Sequence, residues 1–247
     1  MVGGLLTVEG LCKSYGSLIV TEDISLSVAR GEAVGIIGPN GAGKSTLFNL
    51  ISGDVRPDRG RIIFDGVDIT GLRPHKRAGR GIGRSYQIPQ PFEDMSVLEN
   101  LLVGALFAGR TRVAHARDYC QEVLYRTGLA SKSGMRAGGL TLLERKRLEL
   151  ARALAVAPEL LLLDEIAGGL TDPEAQELLE TIRAIHAEGA TIIWIEHVLH
   201  ALLPAISRLF VLSFGRLIAT GEPGQIMADP AVRAIYLGLD DEQGYGV

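Results

Sequence analysis

The chain has 247 residues, 47 % of them hydrophobic, enough for one large α/β domain or for a core carrying a sizeable insertion. Its formal charge of −4 at pH 7 argues against any general affinity for nucleic acid or acidic membrane surfaces. Two cysteines, Cys12 and Cys120, lie far apart with no metal-type spacing; they read as reduced, packed thiols, with a single disulfide as the alternative.

The opening MVGGLLTVEG has no basic segment followed by an apolar stretch, so no signal peptide is expected. No apolar run approaches the roughly 18 to 20 residues that span a bilayer. Short strands come first: LLTVEG, ISLSV, AVGIIG and GRIIFDG, separated by Gly and Asp turn signals. A helix from Lys44 to about Ser52 interrupts them and stops at Gly53. The stretch RPHKRAGRGIGR, residues 73–84, is the most basic and reads as a solvated face.

From Val97 to Ala157 the pattern is helical. SVLENLLVGALFAG begins with a possible capping box, Ser96 and Glu99; RVAHARDYCQEVLYRTG follows. The third helix should start at Thr141, because Thr141 and Glu144 form a Thr-x-x-Glu box before a patterned run. After Pro158 strands and helices alternate again. LLLLD and TIIWIEH read as buried parallel strands, with RLFVLSFG a further strand. Between the first two, a helix is expected with Asp172 as N-cap, Pro173 at N1 and Gly189 as its stop. The sum is a mixed-sheet α/β core, residues 1–92 and 158–247, with a helical insert over 93–157.

GPNGAGKST, Gly38 to Thr46, fits G-x-x-x-x-G-K-[ST] after a strand and before a helix. Small residues (Gly38, Pro39, Asn40, Gly41, Ala42, Gly43) let backbone N–H groups turn inward on a phosphate, and the helix N-terminus adds partial positive charge. Lys44 reaches the β- and γ-phosphates, Ser45 offers Mg²⁺ a hard oxygen, and Thr46 follows as a further residue expected at the nucleotide. LLLLDE ends a strand on Asp164, which would support Mg²⁺ through water, and Glu165, which would polarise the attacking water. His197 at a strand end suits a γ-phosphate contact. His200 suggests a metal pair, but no third ligand completes it. Gln87, where a strand gives way to the insert, can touch Mg²⁺ or water. Tyr15 is either a base-stacking ring or a packing residue. No Asn-Lys-x-Asp motif points to guanine.

In this order the residues resemble the ATP-binding subunits of ABC transporters over about Leu5 to Gly238. YQIPQPFEDMSVLEN and GEPGQIMADPAVRAIYLG look like the branched-chain amino-acid branch. The resemblance implies a P-loop NTPase (RecA-like) fold with N-terminal antiparallel strands and a helical signature subdomain. It implies ATP hydrolysis with Mg²⁺ and a head-to-tail dimer with a second copy or a paralogue. Tyr15 would stack on adenine, Ser45 and Gln87 would hold Mg²⁺, Glu165 would be the base and His197 the switch. Residues 167–172 would cross the dimer axis. Transmembrane permeases would dock at the insert and the Gln87 loop, placing the chain on the cytoplasmic face of the membrane and linking it indirectly to a solute-binding protein.

One stretch departs from the family. Aligned by RLELARAL, the signature LSGGQ becomes Leu140-Thr141-Leu142-Leu143-Glu144. Thr141 keeps a hydroxyl for the partner's nucleotide. Leu143 replaces a glycine that allows close approach, and Glu144 would be costly there unless engaged in the cap or offset by Arg145 and Lys146. Alternatives are therefore an asymmetric, weakly catalytic partner, or an ATPase for lipopolysaccharide or other export.

Overall fold

The computed structural model describes residues 4–108 and 111–240. An antiparallel sheet joins β1 (Leu6–Tyr15), β2 (Leu18–Val28), β4 (Arg59–Phe64) and β5 (Val67–Asp68) in the order β2-β1-β4-β5. A second sheet holds β3 (Ala33–Ile37), β6 (Ile82–Arg84), β7 (Leu160–Asp164), β8 (Thr191–Ile195), β9 (Arg208–Ser213) and β10 (Arg216–Gly221). Its order is β10-β9-β3-β8-β7-β6, parallel throughout except for the β9–β10 hairpin. This is the mixed-sheet core expected.

Every residue of β3, β7 and β8 is buried, which is why these strands are apolar without alternation. Alternate residues go to opposite faces. Val34, Ile36, Leu160, Leu162, Ile193 and Ile195 join the antiparallel sheet and α1 (Lys44–Ser52) in one cluster. Leu161, Leu163, Ile192 and Trp194 join the helices of the other face. Each such side chain contributes about 1.5 to 3 kcal/mol. Parallel register aligns Ile36 with Ile195, and Ile195 with Asp164. The segments after β3, β7 and β8 therefore leave the sheet along one carboxyl edge, where open α/β sheets bind ligands.

Between β6 and β7 run α3 (Val97–Ala108), α4 (Ala116–Arg126) and α5 (Leu142–Ala155). The Ser96–Glu99 box forms: Ser96 N donates to Glu99 Oε2 at 2.7 Å and Glu99 N to Ser96 Oγ at 3.2 Å. After β7 comes α6 (Asp172–Ala187), then α7 (Leu199–Leu202), α8 (Pro223–Ala228) and α9 (Pro230–Asp240). The expected N-cap of α6 shifts by one residue. Thr171, not Asp172, caps it, because Glu174 lies three residues on and accepts from both Thr171 N and Thr171 Oγ1.

The basic stretch is not simply a solvated face. Within it lies a short helix, α2 (Pro74–Ala78), whose Arg77 is 1 % exposed. Its guanidinium donates to the carbonyls of Leu50, Ile51, Thr70 and Leu72, at 2.7 to 3.0 Å. A planar fork of donors suits carbonyls clustered at a helix end, here the last turn of α1. Burial pulls the Arg77 pKa down to about 10. Both cysteines are free thiols, and burial raises that of Cys120 to about 11.

Candidate active site

The loop between β3 and α1 needs glycine at its ends. Gly43 sits at φ 99°, and a Cβ there would meet Val20 O at 2.6 Å; one on Gly38 would meet Leu212 O at 2.2 Å. The loop is thus wedged against β2 and β9, and α1 starts where it ends. Residues 40–46 line a cavity of about 490 Å³ with Val20, Gln87, Glu165 and His197. Lys44 is buried, its Nζ donating to the carbonyls of Gly38 (2.7 Å) and Pro39 (3.0 Å). Burial lowers its pKa, against the pull of Glu165 and Asp164. Backbone amides, one ammonium and the Ser45 hydroxyl around such a cavity form an anion cradle.

The carboxyl edge supplies the acids. Glu165 follows β7 with φ 47°, a left-handed conformation uncommon for a non-glycine residue. Its Oε1 lies 2.7 Å from His197 Nε2, and its Oε2 accepts from the Gln87 amide. Three residues far apart in sequence thus converge on the phosphate loop. A carboxylate so held can take a proton from water beside a phosphoryl group.

Asp164 is 4 % exposed, and burial raises its pKa. Its Oδ2 pairs with Arg84 at 3.2 Å, while Oδ1 has no hydrogen-bond partner among the described residues. Ser45 and Gln87 line a second cavity with Asp164. A buried, unpaired carboxylate oxygen near a hydroxyl and an amide fits a hydrated divalent cation. Arg84 ends the basic stretch expected to be a solvated face, yet its side chain is only 8 % exposed. Besides Asp164 it binds Asn49, Ser52 and Asp54 around the end of α1, a convergence that only folding creates.

Tyr15 is 50 % exposed at the end of β1, so it is not a core residue; it does not line the 490 Å³ cavity, though Val20 of the same hairpin does. The side chain of His200 lies outside the described residues.

Thr141 caps α5 as expected, with both halves of the box formed: Glu144 N to Thr141 Oγ1 at 3.4 Å, and Thr141 N to Glu144 Oε2 at 2.9 Å. The offset to Glu144 differs from expectation. Lys132 pairs with its Oε1. Arg145 turns back to the carbonyls of Gly138 and Leu140, and Lys146 is buried on the Gln87 carbonyl. The Lys132 contact, then the cap, holds the Glu144 pKa below its ordinary value. Leu143 is half-buried against the helical core, whereas Leu142 is 45 % exposed beside Gly169. The more exposed leucine at this helix tip is therefore Leu142. Lys146 could have been noticed in the sequence: it interrupts the apolar stripe of Leu143 and Leu150 on α5.

Comparison with known proteins agrees with this geometry. The family described as ABC transporter matches residues 21–168, and that described as branched-chain amino acid ATP-binding cassette transporter matches residues 216–242. The chain is 37 % identical over 234 residues to the lipopolysaccharide export system ATP-binding protein LptB of Acidithiobacillus ferridurans, covering 95 % of this chain and 97 % of that protein. It is 35 % identical over 249 residues to the high-affinity branched-chain amino acid transport ATP-binding protein LivG of Escherichia coli K12, covering 95 % and 98 %. A crystal structure of a nucleotide-free ATP-binding cassette from an ABC transporter matches with a TM-score of 0.86 at 32 % identity, over 94 % of this chain and 98 % of that one. The ADP conformation of an ATP-binding cassette matches with a TM-score of 0.86 at 33 % identity, over 95 % and 98 %.

Proposed function

Because the chain belongs to the ABC transporter family, as an ATP-binding ATPase subunit coupled to transport, we propose that it powers import of a solute of the branched-chain amino-acid type. The observation that carries the catalytic reading is the Glu165 carboxylate held between His197 and Gln87 at the phosphate-loop cavity. Import is supported by the C-terminal match at 216–242 and by the LivG relatives. The LptB relatives favour a second reading, lipopolysaccharide export.

In this reading Gly38 to Thr46 cradle the triphosphate, with Lys44 leaving its loop carbonyls for the β- and γ-oxygens, and Tyr15 covers the adenine. Ser45, Gln87 and Asp164 would hold Mg²⁺, which neutralises phosphate charge when bound. Glu165 accepts the proton of the attacking water, and His197, on the same carboxylate, keeps it aimed at the γ-phosphate. Thr141 at the α5 N-terminus meets the nucleotide of a second ATPase, a copy or a paralogue, with residues 167–172 crossing between them.

Residues 93–157 form the helical subdomain of this assignment, and 1–92 with 158–247 its nucleotide-binding core. A permease segment would dock against the Gln87 loop and the insert beside Tyr86, Ile88, Phe92 and Arg152, which share a cavity with Ser45 and Asp164; Ile88 there is 69 % exposed. No helix among the described residues is long and apolar enough to cross a membrane, and attachment through permeases would place the chain on the cytoplasmic face.

Glu165→Gln tests the catalytic reading. Turnover should fall about 10²- to 10⁴-fold with ATP binding retained, and unchanged turnover would remove Glu165 as the base. Reconstitution with the membrane subunits that co-purify decides direction: ATP-dependent uptake of leucine or a similar solute supports import, and lipopolysaccharide extraction supports the alternative.

A further inference from the structure

Outside the cavity, the buried charges of the carboxyl edge form a second cluster. Lys146, on the second turn of α5, is 3 % exposed. Its Nζ donates to the carbonyl of Gln87 at 2.7 Å and reaches that of Glu165 at 3.4 Å. Glu196, between β8 and His197, is 2 % exposed. One of its oxygens accepts from Ala167 N at 2.9 Å, and the other from His197 N at 3.1 Å. Burial lowers the Lys146 pKa, while Glu196, Glu165 and Glu149 pull it upward. One buried cation thus sits among three acids at the junction of four segments: the start of α5, the Gln87 loop, the turn after β7, and the segment carrying His197.

We propose that Lys146, with Glu196, is a positioning residue that ties the N-terminal turn of α5 to the γ-phosphate end of the chain's own nucleotide site. A buried ammonium is costly unless its donors are satisfied, and an apolar side chain of similar length would fill the same space. What the charge adds is attachment to two particular backbone carbonyls. Those carbonyls belong to Gln87 and Glu165, whose side chains bond each other. Fixing both peptide planes fixes that contact. Four residues, about 6 Å of helix, separate Lys146 from Leu142 at the tip, so a shift of the tip moves both carbonyls as one body. Glu196 extends the link by holding Ala167 and His197 together. A change at the γ-phosphate is thereby passed to the surface that meets a second ATPase, and the reverse. The proposal rests on the ATPase reading above.

The test is hydrogen exchange of the full chain, at a concentration low enough to keep it monomeric, with and without Mg²⁺ and a non-hydrolysable ATP analogue, in the wild type, Lys146→Met and Lys146→Arg. In the wild type the analogue should protect residues 38–46 and also 141–147. Lys146→Met should keep the first protection and lose the second by about five-fold or more; Lys146→Arg, which can still donate to both carbonyls, should restore it. Equal transmission to 141–147 in the Met variant overturns the proposal, as does a wild type that protects 38–46 alone. A merely structural Lys146 would lower stability without separating the two segments. Glu196→Gln cuts the other arm and serves if Lys146→Met does not fold: protection at 167–171 should fall while that at 141–147 persists, and loss or retention of both overturns the link. Absence of protection at 38–46 in the wild type would instead refute the nucleotide site itself.

Discussion

Glu144 lies where the family signature would meet a nucleotide, yet its carboxylate is occupied by Thr141 N and Lys132. Two substitutions measure that commitment. Thr141→Ala removes the N-cap acceptor of α5, a loss of about 1 kcal/mol. Unfolding entropy of about 2.1 cal/mol/K per residue gives about 0.5 kcal/mol/K for a chain of 247 residues. The expected fall in Tm is therefore about 2 °C. Glu144→Gln keeps an oxygen for Thr141 N but gives up the negative charge at the helix N-terminus, worth about 0.3 to 1 kcal/mol. The partly exposed Lys132 pair adds about 0.2 to 1 kcal/mol, so the fall should again be about 2 °C. The Glu144 pKa is depressed in the folded chain. Its stabilisation is thus fully present above the ordinary value of 4.5 and is lost as pH falls through the folded value. Thermal unfolding should show the Gln variant below the wild type at pH 7, with the gap closing as pH falls below 4.5. ATP turnover at pH 7 should stay within about two-fold. A Tm gap independent of pH would refute the charge account of the cap, and a Gln variant with unchanged Tm and turnover raised about ten-fold would show that Glu144 faces the nucleotide instead.

Arg77→Ala leaves carbonyls at the end of α1 without donors in the interior; it should cost about 3 to 5 kcal/mol and lower Tm by about 6 to 10 °C in calorimetry. Gly43→Ala puts a methyl against Val20 O in a left-handed conformation; equilibrium binding of a fluorescent ATP analogue should weaken by about ten-fold or more, with a stability cost of at least about 1 kcal/mol.

Features set by neighbours in sequence were legible without coordinates. The phosphate loop is one run of nine residues between a strand and a helix. The start of α5 at Thr141 and the stop of α1 at Gly53 follow from side chains and φ angles within a single turn. The apolar runs at 160–163 and 191–195 announce strands buried on both faces, and so place Glu165 and His197 at strand ends.

What the sequence could not supply is which ends meet. Parallel register of β3, β8 and β7 brings 38–46 to one edge with 165 and 197, each more than a hundred residues further along the chain. Charge has no period, so nothing in the pattern distinguishes a solvated Lys or Arg from one enclosed by another element. Arg77 and Arg84 were hidden for that reason, and which of Leu142 and Leu143 turns toward the core is set by the packing of α5. Local backbone chemistry determined the parts of the site; long-range burial decided which charges lie inside it and what they hold.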